Sequence, residues 1–154
     1  MILSLFDIDG TILSSDGAGR RAINTALAEL FGGVGPEGHR FDGKTDRQIV
    51  RELMRLEGHS DAHIDARMDA LLERYVTYLE RELASPAHRP TVYAGVRELL
   101  DALEARDDVV LGLLTGNLER GARVKLDAVG IDPDRFKVNA FGSDSEHRPE
   151  LPAL

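Results

Sequence analysis

The stretch Ile2-Leu3-Ser4-Leu5-Phe6-Asp7-Ile8-Asp9-Gly10-Thr11 decides how the chain is read. A short apolar run that ends on an aspartate suits a buried strand of a parallel sheet. Such a strand delivers a side chain at its C-terminal end, where α/β sheets place their chemistry. Two carboxylates at i and i+2, followed by Gly-Thr, can divide nucleophilic and acid/base work between them. Asp7 would attack the phosphorus of a phosphate ester and form an aspartyl-phosphate. Asp9 would protonate the leaving oxygen and then deprotonate the hydrolytic water, a role that asks for a raised pKa. Gly10 lets the backbone turn close to the phosphoryl group, with Thr11 beside it. A carboxylate attacking a phosphate dianion needs its charge offset. Mg²⁺ is therefore implied, with the Asp7 carboxylate and the Asp9 carbonyl as oxygen ligands. The competing reading is a polar loop whose aspartates only cap the turn that follows.

Beyond this stretch the pattern becomes helical. Ala22, Ile23, Ala26, Leu27, Leu30 and Phe31 recur at helical spacing and are stopped by Gly32-Gly33. Ile49, Val50, Leu53, Met54 and Leu56 mark a second helix ending at Gly58. A third runs from about Ala62 to Leu83, with Ser60 or Asp61 as its cap. No strand separates the three. Ser85 to Pro90 contains two prolines and reads as a hinge. Val96, Leu99, Leu100 and Leu103 then form a helical stripe, and Val109 to Leu114 a second buried strand. Leu118, Ala122, Leu126 and Val129 give a helix closed by Gly130, before a weaker strand pattern at Phe136 to Phe141. The order predicts an α/β fold: a Rossmann-like parallel core at residues 1–13 and 91–154, interrupted by a helical insertion at residues 14–90.

Composition narrows the functional classes. The chain has 154 residues, 42% hydrophobic and 30% charged, which suits one soluble core plus an insertion. Its formal charge of -8 comes with no basic tract, so nucleic acid is not an expected partner. It has no cysteine, which excludes a disulfide framework, thiolate metal sites and a thiol nucleophile. The apolar N-terminus is too short for a signal peptide and no segment reads as a membrane span, so the expectation is a cytoplasmic protein. His59 and His63 stand at i, i+4 but straddle a helix start and have no third ligand nearby. They read as surface histidines rather than a zinc pair.

The Asp7 to Thr11 segment resembles the first signature of the haloacid dehalogenase (HAD) superfamily, and the likeness extends along the chain in motif order. Asp9 favours phosphate ester hydrolysis, because the dehalogenases share the pattern but lack that acid. The resemblance implies further site residues. Thr115-Gly116-Asn117, directly after the second strand, matches the position where a hydroxyl and adjoining amides bind the phosphoryl oxygen; free amides at a strand-to-helix junction form such an anion site. Thr115 or Asn117 serving only as a helix cap is the alternative. Arg148, in His147-Arg148-Pro149, matches a basic residue that is commonly a lysine followed by proline, although a guanidinium fork is not equivalent to an ammonium point charge.

The insertion resembles the helical cap of phosphoglycolate phosphatase-like members, which closes over the site and selects substrates. Gly43-Lys44-Thr45-Asp46-Arg47 looks like the substrate-facing loop of that cap. Lys44 and Arg47 would meet a carboxylate or second anionic group, unless Thr45 simply caps the next helix and the basic residues are solvated. Arg20 and Arg21 carry a similar ambiguity. The expected ligand is a small phosphorylated metabolite, phosphoglycolate-like or a sugar phosphate. A β-phosphoglucomutase-like phosphotransferase and a non-catalytic domain of the same fold are the alternatives.

The resemblance also implies a fourth signature, acidic residues after a further strand that complete the magnesium site. The sequence to Leu154 offers no place for it. Asp144 and Glu146 precede the basic residue and follow no further strand, so the metal role is not transferred to them. The expectation is a truncated portion of a longer protein whose core lacks its last strands. An apolar edge on the first strand would then invite pairing, for instance as a homodimer.

Overall fold

The computed structural model describes residues 1–153, and its elements follow the order expected. Strand β1 (Ile2–Phe6) leads through β2 (Leu13–Ser14) into helices α1 (Ala18–Phe31), α2 (Asp46–Leu56) and α3 (Asp61–Ala84). The chain returns through β3 (Thr91–Val92) to α4 (Val96–Glu104), β4 (Val109–Leu114), α5 (Glu119–Ala128) and β5 (Val138–Ala140). A 3₁₀ turn at Pro133–Arg135 precedes β5, and another at Arg148–Ala153 follows it.

β1, β4 and β5 form a parallel sheet in the order β1-β4-β5. Both crossovers run in the same direction across it, so right-handed connections place α4 and α5 on one face. Phe6, Leu111 and Leu113 turn to that face and pack with Leu100, Ala122, Leu126 and Phe136. In this register Leu3, Leu5 and Val138 share the opposite face, and they remain 47%, 44% and 47% exposed. The outer edge of β1 is unpaired among the described residues, as the sequence led one to expect.

α1, α2 and α3 bury their apolar stripes against one another in a second cluster that includes Ile23, Leu27, Leu53, Met54, Leu71 and Tyr75. Local chemistry fixes where these helices start. The Thr45 hydroxyl accepts the Gln48 N–H at 3.1 Å, and the Ser60 hydroxyl accepts the His63 N–H at 3.3 Å. Where the chain leaves for the helices and returns, β2 and β3 pair antiparallel, Leu13 with Val92 and Ser14 with Thr91. The sequence pattern did not show this two-residue ladder.

Candidate active site

The C-terminal ends of β1, β4 and β5 bring three loops together. The first carries Asp7 and Asp9, the second Thr115 to Asn117, and the third ends at Arg148. Backbone hydrogen bonds join the last two: the Thr115 N–H donates to the Ala140 carbonyl at 3.1 Å, and the Gly142 N–H to the Asn117 carbonyl at 2.8 Å. After Asp9 the chain reverses in a turn whose N–H groups at Thr11, Ile12 and Leu13 converge on the Ile8 carbonyl. Gly10 sits there at φ 77°, which side-chain-bearing residues rarely adopt.

Each carboxylate has its own cation. One Asp7 oxygen accepts the Ile8 N–H at 2.8 Å, and the other accepts Arg148 Nη2 at 2.5 Å. Asp9 receives Lys125 Nζ on both oxygens, at 2.9 and 2.7 Å, and Asn117 Nδ2 at 2.8 Å. Lys125 donates a further bond to Asn117 Oδ1 at 2.7 Å, and the Thr115 hydroxyl accepts Asn117 Nδ2 at 2.8 Å. The Lys125 side chain is only 5% exposed, although that of Asp9 is 44% exposed. Burial works to raise the Asp9 pKa, but the charge and hydrogen bond of Lys125, with help from Asn117, hold it below the ordinary carboxylate value. The raised pKa expected for an acid at this position is therefore not what the resting site provides.

The helical segment closes the other side. Its Lys44-Thr45-Asp46 stretch is seated directly on the core loops. The Asp46 N–H donates to the Gly116 carbonyl at 3.0 Å, and the Asp46 carboxylate accepts the Leu118 N–H at 2.9 Å, the start of α5, which has no side-chain cap of its own. The Thr45 hydroxyl donates to the Glu146 carbonyl at 2.6 Å, and Arg51 grips the Glu146 carboxylate at 2.5 and 3.1 Å. Gly116 is demanded by this contact: a Cβ there would run into the Lys44 carbonyl. Asp46 is 8% exposed, and burial pushes its pKa up to about 6 although Lys125 and the Leu118 N–H pull the other way.

Between the two parts lies a cavity of about 450 Å³. Asp7, Asp9, Thr115, Asn117, Lys125 and Arg148 line it from the core. Arg20, Phe41, Lys44, Asp46 and Tyr75 line it from the helical side. The Tyr75 hydroxyl keeps its proton, because burial and the nearby negative charges of Asp46 and Asp9 raise its pKa well above the ordinary value.

The sequence matches the family model of the haloacid dehalogenase-like hydrolases (HAD) over residues 4–153. The chain belongs to that family. CbbY from Rhodobacter sphaeroides in complex with phosphate is similar with a TM-score of 0.72 at 21% identity, covering 100% of this chain and 71% of CbbY. A CbbY mutant in complex with xylulose-(1,5)bisphosphate gives 0.62 at 23%, with the same coverage. A predicted phosphoglycolate phosphatase from Haemophilus somnus gives 0.62 at 20%, covering 95% of this chain. The chain spans 64% of the Haemophilus protein, just under two thirds of its length. No curated relative matches the sequence.

Against the HAD signatures, the residues expected from sequence divide into those the fold brings together and those it does not. Asp7, Asp9, Thr115, Gly116, Asn117, Arg148 and Lys44 all line the cavity. Gly10 and Thr11 shape the turn after Asp9 and are not part of the lining. Arg47, expected beside Lys44, is likewise outside it: one helical position beyond Asp46, it pairs with Asp69 at 3.1 Å. Lys44 is already paired with Glu52 at 2.5 Å. Thr45 caps α2 as the alternative reading held, so both readings of that loop apply in part. Asp144 accepts the Phe141 N–H at 2.7 Å and shapes its own loop. His59 and His63 stack at 5.0 Å beside Phe31.

Lys125 and Tyr75 went unassigned to this site by sequence, Asp46 was read only as part of the Gly43 to Arg47 loop, and Arg20 was left ambiguous beside Arg21; the structure puts Arg20 on the cavity lining and pairs Arg21 with Glu82. The signal available for Lys125 was its place seven residues after Leu118 and three after Ala122, on the buried stripe of α5. For Mg²⁺, the donor set is of the right kind: the Asp7 carboxylate and the Asp9 carbonyl are hard oxygen donors, and that carbonyl receives no hydrogen bond from the described residues.

Proposed function

We propose that the chain carries the nucleophile, acid/base and phosphate-binding part of a Mg²⁺-dependent phosphomonoester hydrolase acting on a small phosphorylated metabolite, phosphoglycolate-like or a sugar phosphate. Residues 14–90 serve as its cap. The observation that carries this reading is the pair Asp7 and Asp9, two carboxylates on one cavity wall, each with its own cation. In the first step an Asp7 oxygen attacks phosphorus, and the ester oxygen leaves with a proton from Asp9. In the second step Asp9 takes a proton from water, which attacks phosphorus and returns Asp7 as a free carboxylate.

The resting Asp9 is in the base form that the second step needs. For the first it must take up a proton, which the negative charge of a phosphoryl group bound beside it favours. Arg148 steadies Asp7 and offers positive charge to the phosphoryl oxygens, while Thr115 and the amides that follow it supply hydrogen bonds. Mg²⁺, held by the Asp7 carboxylate and the Asp9 carbonyl, would supply charge that offsets the repulsion between carboxylate and phosphate. The setting proposed is the cytoplasm, with no nucleic acid or membrane partner, and self-association through the open β1 edge. Among the described residues no helix is long and apolar enough to cross a membrane. The test is phosphate release from a panel of small phosphorylated metabolites with and without Mg²⁺. Release that needs Mg²⁺ and disappears in Asp7→Asn supports the proposal; release that survives Asp7→Asn overturns it.

A further inference from the structure

Four cationic side chains line the cavity, and three are matched by carboxylates. Arg148 pairs with Asp7 at 2.5 Å, Lys125 with Asp9 at 2.7 Å and Lys44 with Glu52 at 2.5 Å. Glu52, which is not part of the cavity lining, also accepts from Gln48 and meets His39 at 2.8 Å. Arg20 has no carboxylate within ion-pair distance among the described residues. Its guanidinium lies over the Phe41 ring, 3.8 Å from the centroid, and one Nη donates to the His39 carbonyl at 2.7 Å. These contacts hold the group in place and leave it without an ion-pair partner among the described residues.

Helix stability does not account for Arg20. It stands in the first turn of α1, where a cation opposes the helix dipole, and that turn has no acidic residue to offset it. A side chain that breaks a local rule while lining a reactive cavity is placed for a ligand. We infer that Arg20 binds a second anionic group of the substrate, so that the preferred phosphomonoesters carry a carboxylate or a second phosphate. This rests on the phosphomonoesterase reading above. It also replaces Arg47, which faces Asp69, as the residue on the helical side that selects for charge. A planar fork seated over the Phe41 ring suits either group, because carboxylate and phosphate both offer two oxygens at matching spacing.

The experiment measures binding by calorimetry in an Asp7→Asn background, where turnover is blocked. Inorganic phosphate and glycerol phosphate are the single-anion probes. Phosphoglycolate carries a carboxylate as second anion and fructose bisphosphate a phosphate. At least one two-anion probe is expected to bind about tenfold or more tighter than glycerol phosphate. Arg20→Met, which keeps an apolar stem over Phe41, is expected to erase that advantage while leaving both single-anion affinities within about twofold. Arg20→Lys should retain part of it, which guards against a folding defect in the methionine variant. The probe whose advantage disappears identifies the group as carboxylate or phosphate. A preference that survives Arg20→Met, or no preference at all, overturns the inference and leaves the hydrolase reading standing. Failure of inorganic phosphate to bind removes that reading and this inference with it.

Discussion

Replacing Asp46 with asparagine tests how the helical segment is seated on the core. The carboxylate is 8% exposed and accepts the Leu118 N–H at 2.9 Å. Burial lifts its pKa from 3.8 to about 6, with Lys125 and the Leu118 N–H opposing the rise and Asp9 adding to it. The folded chain thus holds this proton more tightly than the unfolded chain. The resulting stabilisation is full below the ordinary pKa and is lost as pH rises through about 6. A rise from 3.8 to about 6 corresponds to about 3 kcal/mol. Asparagine keeps the shape and an oxygen acceptor for Leu118 but cannot ionise, so the variant escapes that loss. Urea denaturation of both proteins from about pH 4 to about pH 8 gives the difference in stability directly. The difference should move in favour of Asp46→Asn by up to about 3 kcal/mol, most steeply between pH 3.8 and about 6, and level off above that. A difference that stays flat across this range would refute the burial of an ionisable carboxyl at the seam.

Three further outcomes follow from the same geometry. Lys125→Met should cost about 2 kcal/mol at neutral pH, less than a fully buried pair because Asp9 is 44% exposed. The variant should also lose the acid-limb stability that an Asp9 pKa below its ordinary value confers, and an upward-shifted Asp9 titration by NMR would register it. Gly116→Ala forces the Lys44 carbonyl to move, and a loss of about 2 kcal/mol in urea denaturation is expected. Leu5→Lys places a charge on the 44%-exposed side chain of the open sheet face, and sedimentation should show weakened self-association; an unchanged association constant would put any interface elsewhere.

The fold was legible because its long elements carry strong periodicity. The stripe Ile64, Met68, Leu71, Leu72, Tyr75 and Leu79 admits only a helix, and Val109 to Leu114 is too short and apolar for anything but a buried strand. The nucleophile was legible because a strand end followed by Asp-x-Asp-Gly-Thr constrains both geometry and chemistry. The charged lining was not. Lys125 lies between Val124 and Leu126 in a helix with many charged residues, and only its phase with Leu118 and Ala122 marks it as inward. Asp46 reads as an ordinary first-turn acid, since its burial comes from Gly116 and Leu118, far away in sequence. Arg20 stayed ambiguous and Arg47 was read as facing the cavity because the loop from Gly32 to Gly43 has no period, and its fold alone carries Phe41 and His39 to Arg20.

The central claim is that Asp7 is the group that accepts the phosphoryl moiety. The most direct measurement is acid quench of the Mg²⁺-loaded protein during turnover of a reactive phosphomonoester, borohydride reduction of the acyl phosphate, and peptide mapping by mass spectrometry. The account predicts that the aspartate reduced is Asp7, and that Asp7→Asn leaves no reduced residue. Phosphate release with the intermediate on another side chain, or with Asp7 unmodified throughout, would contradict it.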